Sequence, residues 1–539
     1  MAYISKRLFK ASHAKIRERA KGLLNAAFEA GVATEKRDWP AAEKKWHTIV
    51  KEFGDDTPAN IWVRLSISLR RQGRYARAEE AISKALRLFP KHIGIMNEFA
   101  EIAHARQDWD EAIQRWQKIL YKWDKDQATT AYVRLPQAYS KIGKHAKAER
   151  LMREGLRLHP ENLSLLEAHA QLAVEAEAWP EAVKRWQLII DSYQDIAPAS
   201  TWVGFIKSLR QLRDFERANE FAALGLERYP NDAWLRMEFA EIANDRKDWP
   251  EALKRWQSTY YDLGNQSSTP LWVKLHIRMN VSVLNRITNI KEYKSQIKRY
   301  RTVRKPRRIA VYTSLTKNYD LLKLPEIIDE RFDYIAYSDD PIDGMGVFDV
   351  RKLNQPDFKT DSSRATRYPK THPHVLLKSY EVAVWMDASM MIVGDLAPLV
   401  DEFIKSGRPI GNATHPHRQS LHEELEACID LGKDDVEILK KQLQFYDSIN
   451  FDTSDLANNG VMLFNLNHPK LNRVMENWWE QICRFSKRDQ LSFNYALFKN
   501  KANRYKLTEP PADVRNYPAF VFVPHTTEPK ILKNLYELL

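Results

Sequence analysis

Residues 382–396 read VAVWMDASMMIVGDL, and this stretch decides the fold class of the C-terminal half. Apolar runs of four to eight residues, rich in Val, Ile, Met and Trp, are typical of strands that are covered on both faces. Asp387 separates two such runs, so we expect it at a strand end, where open α/β sheets bind their ligands. The structural alternative is a capping Asp in a turn.

Segments of the same character surround this stretch and predict an α/β domain. Strand-like runs occupy Ile309–Leu315, Phe332–Asp340 and Gly460–Leu466. A helical pattern fades at VRKPRR, residues 303–308, where proline breaks the chain. We therefore assign residues 301–539 to one α/β domain. The sequence has no glycine-rich phosphate loop of either common type, which disfavours a Rossmann dinucleotide site and a P-loop.

The N-terminal half repeats itself at an interval of 70 residues. Two aromatic series keep this spacing: Trp39, Trp109, Trp179 and Trp249, and also Trp62, Tyr132, Trp202 and Trp272. A weaker copy follows about 35 residues along, as in GRYARAEEAISKALRLFP, and resembles the tetratricopeptide repeat. We expect an all-α array over residues 35–300, with the Trp side chains as interhelical core, preceded by a basic helical cap over residues 1–34.

Charge is distributed unevenly along the chain. Residues 1–304 contain 53 Lys plus Arg against 38 Asp plus Glu, whereas residues 305–539 contain 31 against 33. An anionic partner is therefore expected at the array: an acidic glycan, a membrane surface or an acidic protein. A solvated basic face is the alternative. The sequence pI of 9.3 suggests nucleic acid, but no RNA- or DNA-binding motif is present, and we expect none to bind.

Composition predicts a cytoplasmic protein. Cys428 and Cys483 are the only cysteines, too few for a disulfide framework or a Cys-rich metal site. No run of eighteen apolar residues occurs, and the first residues lack the apolar core of a secretion signal. The basic amphipathic pattern of residues 1–34 leaves docking at the inner face of a membrane as an alternative to a helical cap.

Several motifs of the C-terminal half carry a family resemblance. WMDASMMIVGDL is similar to the acid motif of GT-A glycosyltransferases, and NNGVMLFNL and RDQLSF resemble later segments of that fold. More narrowly, YTSLTKNYD, YIAYSDDP, RATRYPKTHPH, WMDAS, THPHRQSLHEE and RDQLSF, in this order, resemble the DUF616 family, which includes plant rhamnogalacturonan galacturonosyltransferases. The resemblance spans residues 308–525. It implies a GT-A-like fold and transfer of a sugar, with a uronic acid among the candidates, from a nucleotide-diphosphate donor such as a UDP-sugar.

The same resemblance implies a metal site with one departure. Many GT-A enzymes carry Asp-x-Asp, whereas Ser389 here replaces the second acid. Mn²⁺ or Mg²⁺ dependence is therefore open. Such hard cations are held by one or two carboxylates plus substrate phosphates, so Asp387 with His525 is the candidate ligand set.

The remaining donor-site candidates are basic, polar or flexible residues near the predicted strand ends. Guanidinium and ammonium groups bind phosphate oxygens, although a solvated basic loop has the same composition. Glycine permits close approach of the backbone to the sugar. The donor candidates are Thr313, Tyr319, Asp339, Asp340, Arg364, Arg367, Lys370, Ser389, Asn459 and Gly460.

Acceptor recognition is assigned to a polar cluster and to the RDQLSF segment. A general base has to reach the acceptor proton within hydrogen-bond distance. Asp489 is the first candidate and Glu424 the second, although a helix N-cap also explains Asp489. The acceptor-binding candidates are His415, His417, Arg418, Glu423 and Gln490.

Together these patterns predict a hexosyl- or glycuronosyltransferase, with Asp387, Asp489 and Glu424 as its catalytic carboxylates. It is expected to act on a surface polysaccharide or another glycan, while the array positions acceptor, membrane or protein partner. The alternative is an inactive transferase-like scaffold whose repeats bind proteins. The missing second acid favours that alternative.

Overall fold

A computed structural model describes residues 22–125, 127–264, 266–302, 308–316, 321–339, 346–353, 361–452, 454–510, 512–523 and 530–539. The chain forms two compact units, Met1–Asp214 and Phe215–Leu539. The predicted fold class is confirmed: a tetratricopeptide-like helical array precedes a mixed α/β domain. The predicted limits of the three segments stay predictions. The structure groups the helices that follow Asp214 with the sheet.

The first unit consists of helical hairpins whose consecutive helices pack against each other. Its helices are α1 (residues 22–35), α2 (Trp39–Phe53), α3 (Ala59–Arg71), α4 (Tyr75–Leu88), α5 (Ile93–Ala105), α6 (Trp109–Lys122), α7 (Thr129–Lys141), α8 (His145–Leu158), α9 (Leu163–Glu175), α10 (Trp179–Tyr193) and α11 (Ala199–Gln211).

Local chemistry at the hairpin turns explains where the second helices begin. Arg37, Gln107 and Glu177 adopt positive φ, so the chain reverses its direction within a short turn at each of these residues. Two of these turns are followed by an aspartate N-cap: Asp38 accepts from Ala41 N at 3.1 Å, and Asp108 accepts from Glu111 N at 3.2 Å. The third has Ala178 at the cap, which provides no side-chain acceptor.

An arginine with a largely buried side chain connects neighbouring helices at the 70-residue interval. Arg115 donates to Phe99 O at 2.6 Å and pairs with Glu79, while Arg185 donates to His169 O at 2.8 Å and pairs with Glu149. These bonds satisfy a guanidinium that the packing removes from water. The 70-residue repeat therefore includes recurring polar contacts between helices as well as recurring apolar packing.

The second unit begins with α12 (Phe215–Arg228), α13 (Ala233–Asp245), α14 (Trp249–Thr259), α15 (Leu271–Thr288) and α16 (Ile290–Thr302). Here the repeat changes. Helix α15 has 18 residues, against 13 in α11, and Tyr293, Ile297 and Tyr300 of α16 join the core of the sheet.

This change overturns the prediction of a buried core position for Trp272. Trp62, Tyr132 and Trp202 are buried, whereas Trp272 is 45% exposed. Because α16 packs on the sheet, it leaves the Trp272 ring partly exposed. That ring instead contacts Trp234, with 4.6 Å between ring centroids.

Within the described residues, seven strands form the main sheet in the order β3-β2-β1-β4-β7-β6-β8. Their bounds are β1 (Ile309–Leu315), β2 (Phe332–Ser338), β3 (Asp349–Lys352), β4 (Val382–Met386), β6 (Ile410–Thr414), β7 (Ala457–Asn465) and β8 (Arg504–Lys506). Strands β5 (Met390–Ile392) and β9 (Phe520–Phe522) form a separate antiparallel pair.

Both faces of the main sheet are buried, as the apolar runs predict. In β4, Val382, Val384 and Met386 point into one core, and Ala383 and Trp385 point into the other. The helices of this region are α17 (Ser362–Thr371), α18 (Pro373–Leu376), α19 (Ala397–Lys405), α20 (Leu421–Asp430), α21 (Val436–Ser448), α22 (Leu471–Arg484), α23 (Gln490–Lys499) and α24 (Lys530–Leu538).

Strand directions bring several chain segments to one edge of the sheet. Strands β1, β2 and β4 are parallel, so all three end at this edge. Strand β7 is antiparallel to β4, with Val461 opposite Met386, and therefore begins there. No helix among the described residues is both long and apolar enough to span a membrane.

Candidate functional site

A cavity of about 660 Å³ lies at the edge where β4 ends and β7 begins. Its wall includes residues from β1, α17, the turn after β4, the start of β7 and the segment before α23. Among the described residues, the charged ones that line it are five cations, Arg367, Lys370, Lys433, Arg488 and Arg515, and two carboxylates, Asp387 and Asp489. This excess of cations makes the cavity suited to an anionic ligand.

Asp387 follows the last residue of β4 and faces this cavity. Its backbone N donates to Gly460 O at 2.9 Å, which connects the end of β4 to the start of β7. Trp385 Nε1 donates to Asp387 Oδ1 at 2.8 Å. The Asp387 side chain remains 44% exposed. The strand-end position expected from the sequence is thus observed, and a ligand in the cavity has access to this carboxylate.

Helix α17 brings two of the three predicted basic residues to the cavity. Lys370 Nζ lies 3.2 Å from Asp387 Oδ1 and 2.7 Å from Asp489 Oδ2, and Arg367 Nε donates to Asp489 Oδ1 at 3.3 Å. Arg364 points elsewhere: it donates to the carbonyls of Ile482 and Phe485 and pairs with Asp361. Arg364 thus fastens α17 to the end of α22.

Asp489 is buried and held by cations. Burial alone would raise the pKa of Asp489, but Lys370, Arg367 and Arg488 outweigh it and hold this pKa well below its ordinary value. A general base works best when its pKa is near the operating pH. This environment therefore makes Asp489 a weak proton acceptor, and its backbone carbonyl also accepts from Trp478 Nε1 at 2.9 Å.

Ser389, Asn459, Gly460 and Gln490, which are predicted to bind donor or acceptor, all line the cavity. A Cβ added to Gly460 would lie 3.7 Å from Asp387 Oδ2, so a larger residue here would fill space beside the carboxylate. Asn459 Oδ1 accepts from Asn412 Nδ2 at 2.8 Å, which orients the amide.

Four buried donor atoms of the lining residues have no hydrogen-bond partner within the part of the chain that the structure describes. They are Ser314 Oγ, Asn459 Nδ2, Arg488 Nε and Gln490 Nε2. Because a buried donor without a partner destabilises the fold by about 1–3 kcal/mol, such groups require an explanation. A ligand rich in acceptor oxygens provides one.

The remaining donor candidates lie outside the cavity or outside the described residues. Thr313 is buried within β1, and Asp339 is exposed after β2. Tyr319, Asp340 and His525 fall outside the described residues, so their roles stay predictions.

The predicted acceptor cluster forms, but next to the cavity rather than in its wall. His415 follows β6 and is buried, and its Nδ1 accepts from the backbone N of His417 and Arg418 at 3.2 and 2.8 Å. Burial and the nearby Arg418 lower the pKa of His415 to about 3, so the imidazole is neutral at pH 7. His417 is exposed, with Nε2 at 3.4 Å from Arg515 Nη2.

Glu423 and Glu424 have structural partners. Glu423 Oε2 accepts from Gln419 N at 2.8 Å and closes the first turn of α20. Glu424 is buried and ion-paired with Arg418 at 2.7 Å, and burial raises the pKa of Glu424 although Arg418 opposes this. Neither glutamate lines the cavity. Their catalytic and acceptor-binding roles stay predictions.

Comparison with known proteins adds the family of this region. Residues 297–510 match the family described as "TOD1/MUCI70, glycosyltransferase-like domain". The resemblance to DUF616 inferred from the motifs is thereby confirmed. Residues 32–93 and 63–128 match the tetratricopeptide repeat. No curated protein matches the chain in sequence.

Solved structures resemble the helical array weakly. A tetratricopeptide repeat protein from Parabacteroides merdae ATCC 43184 is 14% identical, with 49% of this chain and 98% of that chain covered and a TM-score of 0.36. PilW, a type IV pilus biogenesis factor, is 16% identical, with coverages of 40% and 97% and a TM-score of 0.34.

The cavity of the glycosyltransferase-like domain also contains functional candidates that are absent from the sequence-based predictions. Arg488, Arg515 and Lys433 add positive charge, and Trp385 orients Asp387. Arg488 immediately precedes Asp489, so its place in the KRDQ segment was the one available signal. Lys433 and Arg515 lie in segments without a recognisable motif.

The metal expectation stays a prediction. Within the described ranges, no group of three or more His, Cys, Asp or Glu side chains is arranged to hold an ion. Ser389, with a hydroxyl in place of a carboxylate, occupies the second acid position of the Asp-x-Asp motif.

Proposed function

We propose that this protein is a glycosyltransferase that transfers a sugar from a nucleotide-diphosphate donor to a glycan acceptor. One observation carries this proposal: Asp387, at the end of a central strand, shares a cavity with five cationic side chains of the described part of the chain. The match of residues 297–510 to a glycosyltransferase-like domain supports the same conclusion.

The side chains have distinct roles in this reaction. Arg367, Lys370 and Arg488 offset the negative charge that develops on the departing diphosphate. The partnerless donors of Asn459 and Gln490 bind oxygen atoms of the sugar or the phosphates. Asp387 is the accessible carboxylate beside the reacting sugar. A UDP-sugar, with a uronic acid among the candidate sugars, is the donor to test first.

The helical array is proposed to hold a partner of the reaction. Tetratricopeptide repeats imply protein interaction, and the basic charge of residues 1–304 favours an anionic surface. An acidic glycan, an acidic protein and an anionic membrane face all satisfy this requirement. The setting we propose is assembly of a surface polysaccharide in the cytoplasm or at the inner membrane face.

A thermal-shift screen against nucleotide sugars, followed by a turnover assay with the best stabiliser, tests the proposal. A true donor raises the unfolding temperature by mass action. Asp387→Ala is expected to abolish turnover, whereas Asp401→Ala, which removes an exposed acid of α19, should preserve it. Unchanged turnover in Asp387→Ala would reject the assignment of the donor site.

A second candidate is a scaffold that has lost transferase activity and binds proteins through its repeats. Ser389 at the second acid position favours it. Calorimetric titration with UDP separates the two candidates, because a scaffold is expected to show no affinity either with or without Mn²⁺.

A further inference from the structure

Lys370 occupies the position between the two carboxylates of the cavity. Its side chain is 5% exposed and comes from α17, whereas Asp387 follows β4 and Asp489 precedes α23. The ammonium contacts one oxygen of each, at 3.2 and 2.7 Å, and lies 5.5 Å from the Trp385 ring centroid. Three separate chain segments thus converge on one buried positive charge.

These contacts do not fit a divalent cation at the same place. Asp387 Oδ1 already accepts from Trp385 and Lys370, and the two oxygens of Asp489 face Arg367 and Lys370. A metal ion bound to either acid would have to approach a buried ammonium that repels it. Ser389 provides a neutral hydroxyl where a second carboxylate would otherwise bind metal.

The charge of the cavity is already suited to a diphosphate. In the described part of the lining, five cations against two carboxylates leave an excess of positive charge, and Arg488 Nε, which has no hydrogen-bond partner there, adds a directed donor. A metal ion would normally provide this neutralisation of the leaving group. Here the protein provides it with its own side chains.

We propose that the ammonium of Lys370 takes the place of a divalent cation and binds the diphosphate of the donor directly, so that donor binding is independent of metal. This inference rests on the proposed function. Asp387 and Asp489 then position the ammonium, and Arg367 keeps Asp489 in place. Lys370 suits this role better than Arg367 does, because it alone of the two contacts Asp387 and its compact charge resembles a metal ion.

Calorimetric titration of the full chain with UDP, GDP, CDP and dTDP, each in EDTA and then in Mn²⁺, tests the inference. We expect one nucleotide to bind with the same affinity under both conditions. Lys370→Met should weaken that binding about tenfold to hundredfold, as expected for loss of a charge-assisted contact. Lys370→Arg should recover much of it, because the charge is restored.

Each outcome has a defined meaning. Binding that needs Mn²⁺ would overturn the inference and leave the proposed function intact. Binding to no nucleotide under either condition would overturn both. Lys370→Met also removes the cation between two buried acids, so its folding is checked by thermal unfolding. If it does not fold, Lys370→Arg decides: the inference requires this variant to bind the nucleotide in EDTA, and loss of binding in a folded Lys370→Arg would reject it.

Discussion

The indole nitrogen of Trp385 donates a hydrogen bond to Oδ1 of Asp387 at 2.8 Å. The two residues are two positions apart, Trp385 within β4 and Asp387 just after its end. Trp385 is buried, and its ring meets Tyr312 edge-on with 5.2 Å between ring centroids. A rigid core residue therefore fixes the orientation of the exposed carboxylate in the cavity.

Trp385→Phe should lower both stability and nucleotide affinity. Phenylalanine keeps an aromatic ring but loses the donor and some volume, so we expect a loss of about 1–3 kcal/mol in the free energy of unfolding. UDP affinity should fall several-fold because Asp387 gains freedom. Urea unfolding and calorimetry measure the two effects. Trp479→Phe, on α22, is the control expected to keep wild-type UDP affinity, and equal affinity in Trp385→Phe would contradict the prediction.

The stability of Asp489→Asn should change less with pH in the acid range than the stability of the wild type. The folded pKa of Asp489 lies below its unfolded value of about 3.9, so its ionised form stabilises the fold above that pH. This contribution is lost as the pH falls from about 4 towards the folded pKa. Unfolding temperatures measured between pH 7 and pH 3 should therefore converge for wild type and variant at the acid end. A difference between wild type and variant that stays constant down to pH 3 would contradict the prediction.

His415→Asn should reduce the loss of stability below pH 6.5. The folded pKa of His415 is about 3, so the unfolded chain binds a proton that the folded chain excludes once the pH falls below about 6.5. Asparagine offers an oxygen near the position of Nδ1 for the two backbone donors. We expect the wild type to lose on the order of 1–2 kcal/mol more than the variant between pH 7 and pH 5. Parallel curves in urea unfolding would refute a buried neutral imidazole.

Ala178→Asp should stabilise the helical array. Asp38 and Asp108 cap their helices at equivalent positions of the 70-residue repeat, and Ala178, at the same position of the next repeat, provides no such acceptor. A new N-cap is expected to add about 1 kcal/mol. Asp108→Ala is the matched opposite change and should lower the free energy of unfolding by a similar amount. Thermal unfolding of both variants measures this, and a neutral Ala178→Asp would mean that the turn at Glu177 does not accommodate a cap.

A fragment of residues 215–539 should fold, whereas residues 301–539 alone should not. Arg278 of α15 donates to Asn516 Oδ1, Tyr517 O and Pro518 O at 2.9, 3.0 and 2.9 Å, and Arg286 donates to Leu324 O at 2.6 Å. The same helix shares an apolar core with β9 and α24. Circular dichroism during heating should show a cooperative transition for the longer fragment. A cooperative transition in the shorter one would restore the boundary near residue 301.

Some side chains were identified from the sequence because their signal is local. The apolar run around Asp387 predicts a buried strand with an acid at its end, since strand burial depends on residues adjacent in the chain. Arg367 and Lys370 were selected for their charge and spacing. Glu423 has the same polar character but closes a helix turn, because its backbone neighbour, Gln419 N, lies within reach.

The 70-residue period by itself determined that the N-terminal half is an array of helical hairpins, because each repeat encodes its own turn and its own set of aromatic and small apolar residues within a short stretch of chain. Only the tertiary structure decided that Trp272 lies exposed and that Lys370 lies between Asp387 and Asp489. Arg367 and Asp489 are 122 residues apart, and such contacts depend on strand order and helix direction. Strand order and helix direction cannot be predicted from a local sequence pattern, since these charged residues come together only when the chain folds.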